Sequence, residues 1–400
     1  MKAAFDEYYH RLLSAFRNEK IALAIERATA SYRKNVTTAL TKYPHTVELA
    51  KEVRSIKERS LERWEELLRE AMDNIVSNKG QAYFAKTASD AKKIIGDLVG
   101  KEKMVVKSKS LTAEEIGLRQ HLQSLGNEVW ETDLGEFIIQ LLDEEPMHIL
   151  SPSIHVPREE VAKLFSNVMK KSIPADIQEE VGAAKKFLRN KYIAAQVGIS
   201  GANVVAADTG AVFVVENEGN ARLVTGLPEK HIVLVGIEKL VPTLSDAFKV
   251  AEVTWRYAQY TIPSYLSIIG GPSKTGDIEK AITYGAHGPK EYHVVFIDNG
   301  RSELAKDPEL KEALYCLRCG GCMYECPIFS LVGGRFGHKY FIGYGAAWEL
   351  VVSGLEWAAP IAYTCLRCER CKERCPVNIN TAKIVLKVRR LFAERCHSSK

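Results

Sequence analysis

The stretch CLRCGGCMYECP at residues 316–327 returns as CLRCERCKERCP at 365–376, 49 residues further on. Both copies follow C-x2-C-x2-C-x3-C-P. The two-residue turns between the first three cysteines aim their thiolates at a common point, which suits three irons of one [4Fe–4S] cubane. The fourth cysteine leaves that loop, and where two such runs share a domain it ligates the neighbouring cluster. The reading is two [4Fe–4S] clusters with crossed ligands: Cys316, Cys319, Cys322 and Cys375 for one, Cys365, Cys368, Cys371 and Cys326 for the other. Pro327 and Pro376 turn the chain after that fourth ligand and bring no amide hydrogen there. Zinc is the competing reading, but zinc knuckles pair two short C-x2-4-C units, often with histidine. A triple run closed by Cys-Pro and repeated whole matches that poorly.

Helices are expected between and after the runs, at Ala346–Ala358 and Ile384–Phe392, with no hairpin strands. The C-terminal unit, residues 304–400, therefore reads as an α-helical ferredoxin domain. Cys396 sits apart from both runs and is expected to be a free thiol. Arg318, Arg367, Arg370, Lys372 and Arg374 lie within the runs, where they either set a positive field around the clusters or form a solvated face.

All nine cysteines fall after residue 315. Disulfides would require an exported protein, and the N-terminal MKAAFDEYYHRLLSAFRNEK lacks the uninterrupted apolar core of a secretory signal. The chain reads as cytoplasmic, with no apolar stretch long enough for a bilayer. Residues 316–400 hold 13 Lys+Arg against 6 Asp+Glu, whereas the rest of the chain is slightly acidic. Such a basic segment suits nucleic acid, but clustered thiolates need the same compensation, so no nucleic-acid partner is expected.

Upstream, Val47–Val76 carries apolar residues at three- and four-residue steps, and residues 1–80 read as a helical lead-in packed on the next domain. From 81 to 303 strands and helices alternate. Lys103–Lys107, Val129–Thr132, Met147–Leu150, Val212–Val215, His231–Ile237 and Tyr292–Ile297 are the expected strands. Thr112 with Glu115 reads as a capping box, and helices are expected over Pro157–Met169 and from Thr243. That alternation implies an α/β domain with a largely parallel sheet and a ligand site beyond the strand ends. Ser273, Lys274, Thr275 and Asp277 in GGPSKTGDIE look placed to receive an anion at a helix entrance, or to cap a turn. His287 in GAHGP lies between glycines, and Glu216 and Glu218 in VVENEGN follow a strand. Solvated or structural roles are the simpler account of these three. No dinucleotide loop or P-loop is present.

Several stretches carry a resemblance to a known family. They are KSKSLTAEEIGLRQHLQSLGNEVWETDLGEFIIQL (107–141), GISGANVVAADTGAVFVVENEGNARLVTGLP (198–228), GIEKLVPTL (236–244), GPSKTGDIE (271–279) and GAHGPKEYHVVFIDN (285–299). With the downstream cysteine runs, the chain resembles the lactate utilization protein B family over about residues 20–395. The resemblance implies a LUD domain related in fold to CoA-transferases and sugar-phosphate isomerases. It also implies an iron–sulfur electron-transfer subunit of a multi-component system that oxidises L-lactate, or a related 2-hydroxy acid, to pyruvate. The implied partners are a CCG-domain protein, a second LUD-domain protein and an electron donor or acceptor protein or quinone-linked carrier. Through them the chain would sit at the inner face of the membrane. Family members commonly continue well past the second run, whereas this sequence ends 25 residues after Cys375. Two other functions stay open: an iron–sulfur subunit of another quinone- or disulfide-linked oxidoreductase, and a LUD-domain transferase or isomerase with structural clusters, using Glu216 or His287. No flavin motif supports lactate oxidation by this chain alone.

Overall fold

The computed structural model describes residues 2–398. The centre is a six-stranded sheet of β1 (Gln81–Ala85), β2 (Met104–Lys107), β3 (Glu128–Glu131), β4 (Val197–Ser200), β7 (Lys230–Gly236) and β12 (Glu291–Ile297). Its spatial order is β1-β12-β7-β4-β2-β3, and every pairing is parallel. A parallel sheet needs cover on both faces, so its inner strands read as continuous apolar runs. In β7, Ile232 and Leu234 pack on one side with helices Ala88–Val99 and Leu118–Ser124. Val233 and Val235 pack on the other, beneath Leu67, Ala71 and Ile75 of helix Trp64–Ser77. A four-stranded sheet adjoins this face, ordered β8 (Leu240–Val241), β5 (Val204–Ala206), β6 (Val212–Glu216) and β9 (Tyr265–Ile269). The hairpin β10 (Lys274–Thr275) and β11 (Thr283–Tyr284) stands apart.

Four helices precede the sheet: Lys2–Phe16, Glu19–Lys42, His45–Glu62 and Trp64–Ser77. The first packs on helix Leu355–Thr364 and the second on helix Phe329–Val332, both in the cysteine-bearing unit. The second and third also pack on helix Leu244–Tyr257 of the α/β domain. One hydrophobic core runs from Val204 and Phe213 through Ala247 and Val250 into Trp348, Ile361 and Val388. The contact between the α/β domain and the helical unit is thus continuous interior, not a hinge.

Three local expectations are corrected. Met147–Leu150 is a bend, because the buried His148 ring takes the amides of Leu150 and Ser151 on Nδ1 and curls the chain around itself. The cap expected at Thr112 is made by Ser110, which accepts from the Ala113 amide, and Gly117 at φ 62° then splits the helix. The single helix expected over Ala346–Ala358 is two, Ile342–Val352 and Leu355–Thr364, broken at Gly354 with φ 96°.

Candidate functional site

The two cysteine runs fold as the same loop twice. Arg318 and its repeat mate Arg367 adopt left-handed φ values of 63° and 54°, and each donates its amide to the preceding cysteine sulfur, Cys316 or Cys365, at 3.4 Å. Two residues on, Gly320 and Glu369 are left-handed as well, and short helices Gly321–Tyr324 and Arg370–Arg374 follow. Beyond the prolines the pattern continues: amides of Ile328 and Phe329 reach Cys326, and those of Val377 and Ile379 reach Cys375. Amides aimed at sulfur favour the thiolate and stabilise a cluster's negative charge.

One cavity is lined by Cys316, Cys319, Cys322, Cys371 and Cys375. A second is lined by Cys326, Cys365, Cys368 and Cys371. Cys396, on helix Thr381–Ser398, lines neither. Burial pushes the thiols of Cys319 and Cys326 up to about 12, and those of Cys322 and Cys375 up as well. Thiols gathered in so dry a place ionise only with a cation among them, which iron supplies. The donor set fits iron–sulfur ligation.

The first loop is roofed and the second is open. Gly321 lies beneath Tyr32, whose hydroxyl would stand 2.1 Å from an added Cβ. In the second copy the corresponding residue is Arg370, and Leu366, Arg367, Cys368 and Glu369 are exposed with it. Cys319 is buried; Cys368 is not. The divergence of GGC from ERC follows from this packing, since only glycine fits under the Tyr32 ring.

Behind the first loop lies a buried network that sequence reasoning missed. Arg301, fully buried, donates to both carboxylate oxygens of Glu115 at 3.0 and 2.8 Å and through Nε to Glu238 at 2.6 Å. The Tyr340 hydroxyl and the Asn299 side chain also donate to Glu115. Arg318 reaches Glu238 at 3.8 Å and lies over the Trp348 ring at 4.4 Å. Burial would raise Glu238, but Arg301, Lys239 and Arg318 pull it down to about 2. Burial and then the neighbouring cations hold Lys57 down to about 7 and Lys239 to about 8. Three buried bases and the part-buried Arg318 against two buried acids give a positive surround next to Cys316. Positions 115, 238, 301 and 318 are too far apart in sequence to form a pattern; only the buried charge itself signals them.

A cavity of about 260 Å³ opens where β2, β3 and β4 end. Lys109 and Asp133 come from the loops after β2 and β3, Glu216 and Glu218 from the end of β6, and Arg318 from the first cysteine loop. Glu216 is occupied, accepting the amides of Ala221 at 2.7 Å and Arg222 at 2.8 Å. Glu218 accepts from the Leu134 amide at 3.2 Å. Desolvation and the nearby Asp133 push its carboxyl upward, and its exposed position tempers that push. Ser273, Lys274, Thr275, Asp277 and His287 do not line this cavity. The expected helix entrance at GGPSKTGDIE is instead the β10–β11 hairpin, where the Thr275 hydroxyl bonds Asp277 at 3.0 Å.

Fold and site together define a LUD-type α/β protein fused to a helical iron–sulfur module. The LUD domain family matches residues 68–297, and the 4Fe-4S dicluster domain matches residues 312–379. Lactate utilization protein B of Bacillus subtilis (strain 168) is 34% identical, over 99% of this chain and 82% of its own. The protein named uncharacterized electron transport protein YkgF in Escherichia coli (strain K12) is also 34% identical, over 85% of this chain and 70% of its own. A crystal structure of a duf162 family protein from Deinococcus radiodurans covers 58% of this chain and 98% of its own at 14% identity. Its TM-score is 0.32, too low to inform the fold. The chain belongs to the lactate utilization protein B family. Among the described residues, no helix is long and apolar enough to cross a membrane.

Proposed function

We propose that this chain is the iron–sulfur electron-transfer subunit of a multi-component system that oxidises L-lactate, or a related 2-hydroxy acid, to pyruvate. It would hold two [4Fe–4S] clusters, one on Cys316, Cys319, Cys322 and Cys375, the other on Cys365, Cys368, Cys371 and Cys326. The observation that carries this is a pair of adjoining cavities sharing Cys371: one brings Cys375 to Cys316, Cys319 and Cys322, the other brings Cys326 to Cys365, Cys368 and Cys371. Two names among the relatives, lactate utilization protein B and electron transport protein, support the substrate and the role. When bound, the clusters supply reversible one-electron transfer.

The chain's own residues prepare that chemistry. Paired amides stabilise thiolate charge at Cys326 and Cys375, and Tyr32 with its helix keeps water from the first loop. Arg318 and Arg301 hold compensating charge in place through fixed partners, so little rearrangement accompanies a change in oxidation state. The transferase reading is weakened at Glu216, whose oxygens both accept backbone amides and are not free for nucleophilic attack. The natural partners under this reading are a CCG-domain protein and a second LUD-domain protein. Anaerobic reconstitution followed by a redox titration with electron paramagnetic resonance tests it. Two reversible one-electron steps are expected; clusters that cannot be reduced reversibly would overturn the electron-transfer role.

A further inference from the structure

In the cavity at the ends of β2, β3 and β4 the acids already have donors. Glu216 takes two amides, Asp133 takes the Lys109 ammonium at 2.6 Å and the Glu136 amide at 3.1 Å, and Glu218 takes one amide. Two donors in the same lining have no acceptor. Lys239 is only 6% exposed and lines the cavity, with neither a hydrogen bond nor an ion pair among the described residues. The indole N–H of Trp255, in the same lining, is buried and unpartnered. A buried cation left this way is costly unless an acceptor reaches it.

We propose that this cavity binds a small organic monoanion, its carboxylate held by Lys239 and Trp255. Size limits the occupant, since about 260 Å³ falls below the roughly 300–1,000 Å³ of clefts for drug-sized ligands. Charge limits it further. Asp133, Glu216 and Glu218 line the same space, so a second negative charge on the ligand would meet carboxylates. A neutral hydroxyl on the ligand can donate to Glu218, one oxygen of which has no hydrogen-bond partner. Parallel sheets place ligands beyond the carboxyl ends of their strands, where this cavity lies.

The position ties the ligand to the cysteine module. Arg318 belongs to the Cys316–Cys319 loop yet lines the anion cavity, and Ile149 lines both this cavity and the one holding Cys316, Cys319, Cys322 and Cys375. An occupant is therefore separated from the first cysteine group by single side chains. The inference rests on the electron-transfer reading only in taking that group as cluster-bearing, and its test does not depend on turnover.

Calorimetry on the full chain, anaerobically reconstituted, is run with L-lactate, pyruvate and inorganic phosphate. Expected are binding of at least one of the two carboxylates and weaker binding of phosphate by about tenfold or more. Lys239→Met should weaken carboxylate binding by about tenfold or more, and Trp255→Phe by a smaller factor, at unchanged iron content. Trp255→Phe, which keeps the ring and removes only the N–H, carries the test if Lys239→Met fails to fold. No heat from either carboxylate at millimolar concentration, phosphate binding as tight, or an affinity that Trp255→Phe leaves unchanged would each overturn the proposal. Reversible cluster reduction without carboxylate binding would sink this inference and leave the electron-transfer role standing; binding without reversible reduction would do the reverse.

Discussion

Replacing Arg301 with methionine should strip the fully buried guanidinium from two carboxylates at once. Glu115 would lose both of its bonds from Arg301 and Glu238 would lose its 2.6 Å bond, all at positions with essentially no solvent. Breaking a buried pair by removing one partner costs about 3–5 kcal/mol, because the remaining charge stays desolvated. Here Tyr340 and Asn299 still donate to Glu115, and Arg318 still faces Glu238, which argues for the low end, about 3 kcal/mol. That is a large share of the roughly 5–15 kcal/mol by which a protein is ordinarily stable. Anaerobic urea unfolding followed by tryptophan fluorescence reads the loss, since Arg301 lies 5.0 Å over the Trp348 ring. A double-mutant cycle with Glu115→Leu isolates the pair. Once Arg301 is gone, removing Glu115 should cost far less than it does in the native protein, giving a coupling of at least about 1.5 kcal/mol. A loss under about 1 kcal/mol for Arg301→Met, or additivity within about 0.5 kcal/mol, would refute the account.

Iron and acid-labile sulfide should each approach about eight per chain after reconstitution, as two four-iron cubanes require, and Cys396→Ser should leave that content unchanged. Cys326→Ala should disturb the spectrum of the cluster bound by Cys365, Cys368 and Cys371; damage confined to the one on Cys316, Cys319 and Cys322 would end the crossed assignment. A pH effect is expected at the buried Glu131 and Glu136: burial and Glu114 raise Glu131 to about 7, and burial, Glu114 and Glu131 raise Glu136 to about 8. Carboxyls raised on folding make the native state bind more protons, so their contribution is full below about 4.5 and is lost as pH rises toward 8. Glu136→Gln should flatten that fall, and thermal midpoints taken from pH 6 to 9 that keep the native slope would contradict it.

The cysteine runs were legible because their chemistry is written in consecutive spacing. The parallel sheet was legible from apolar runs such as HIVLVGI at 231–237. Met147–Leu150 misled because MHIL looks like a short buried strand, whereas the His148 ring substitutes for strand partners by taking two amides. Ser273–Thr275 misled for a related reason, since glycines and hydroxyls serve a hairpin as well as a helix entrance. The Arg301 network and the anion cavity left no local trace. Each is assembled from segments that only the folded chain brings together, and Lys239 is distinguished from any other lysine solely by where it is buried.

The open second loop has a consequence for how the module ages. Oxidants and chelators reach the exposed Cys368 long before the buried Cys319. Under crossed ligation, loss of the outer cluster releases Cys326, whose carbonyl accepts the Ser330 amide at 3.0 Å and so anchors helix Phe329–Val332. That helix supports Glu19–Lys42, the helix carrying Tyr32 over Gly321. Corrosion at the surface is thereby relayed to the roof of the inner site. Under the proposed ligation the outer cluster would act as a fuse, its loss loosening the seal over the inner one from behind.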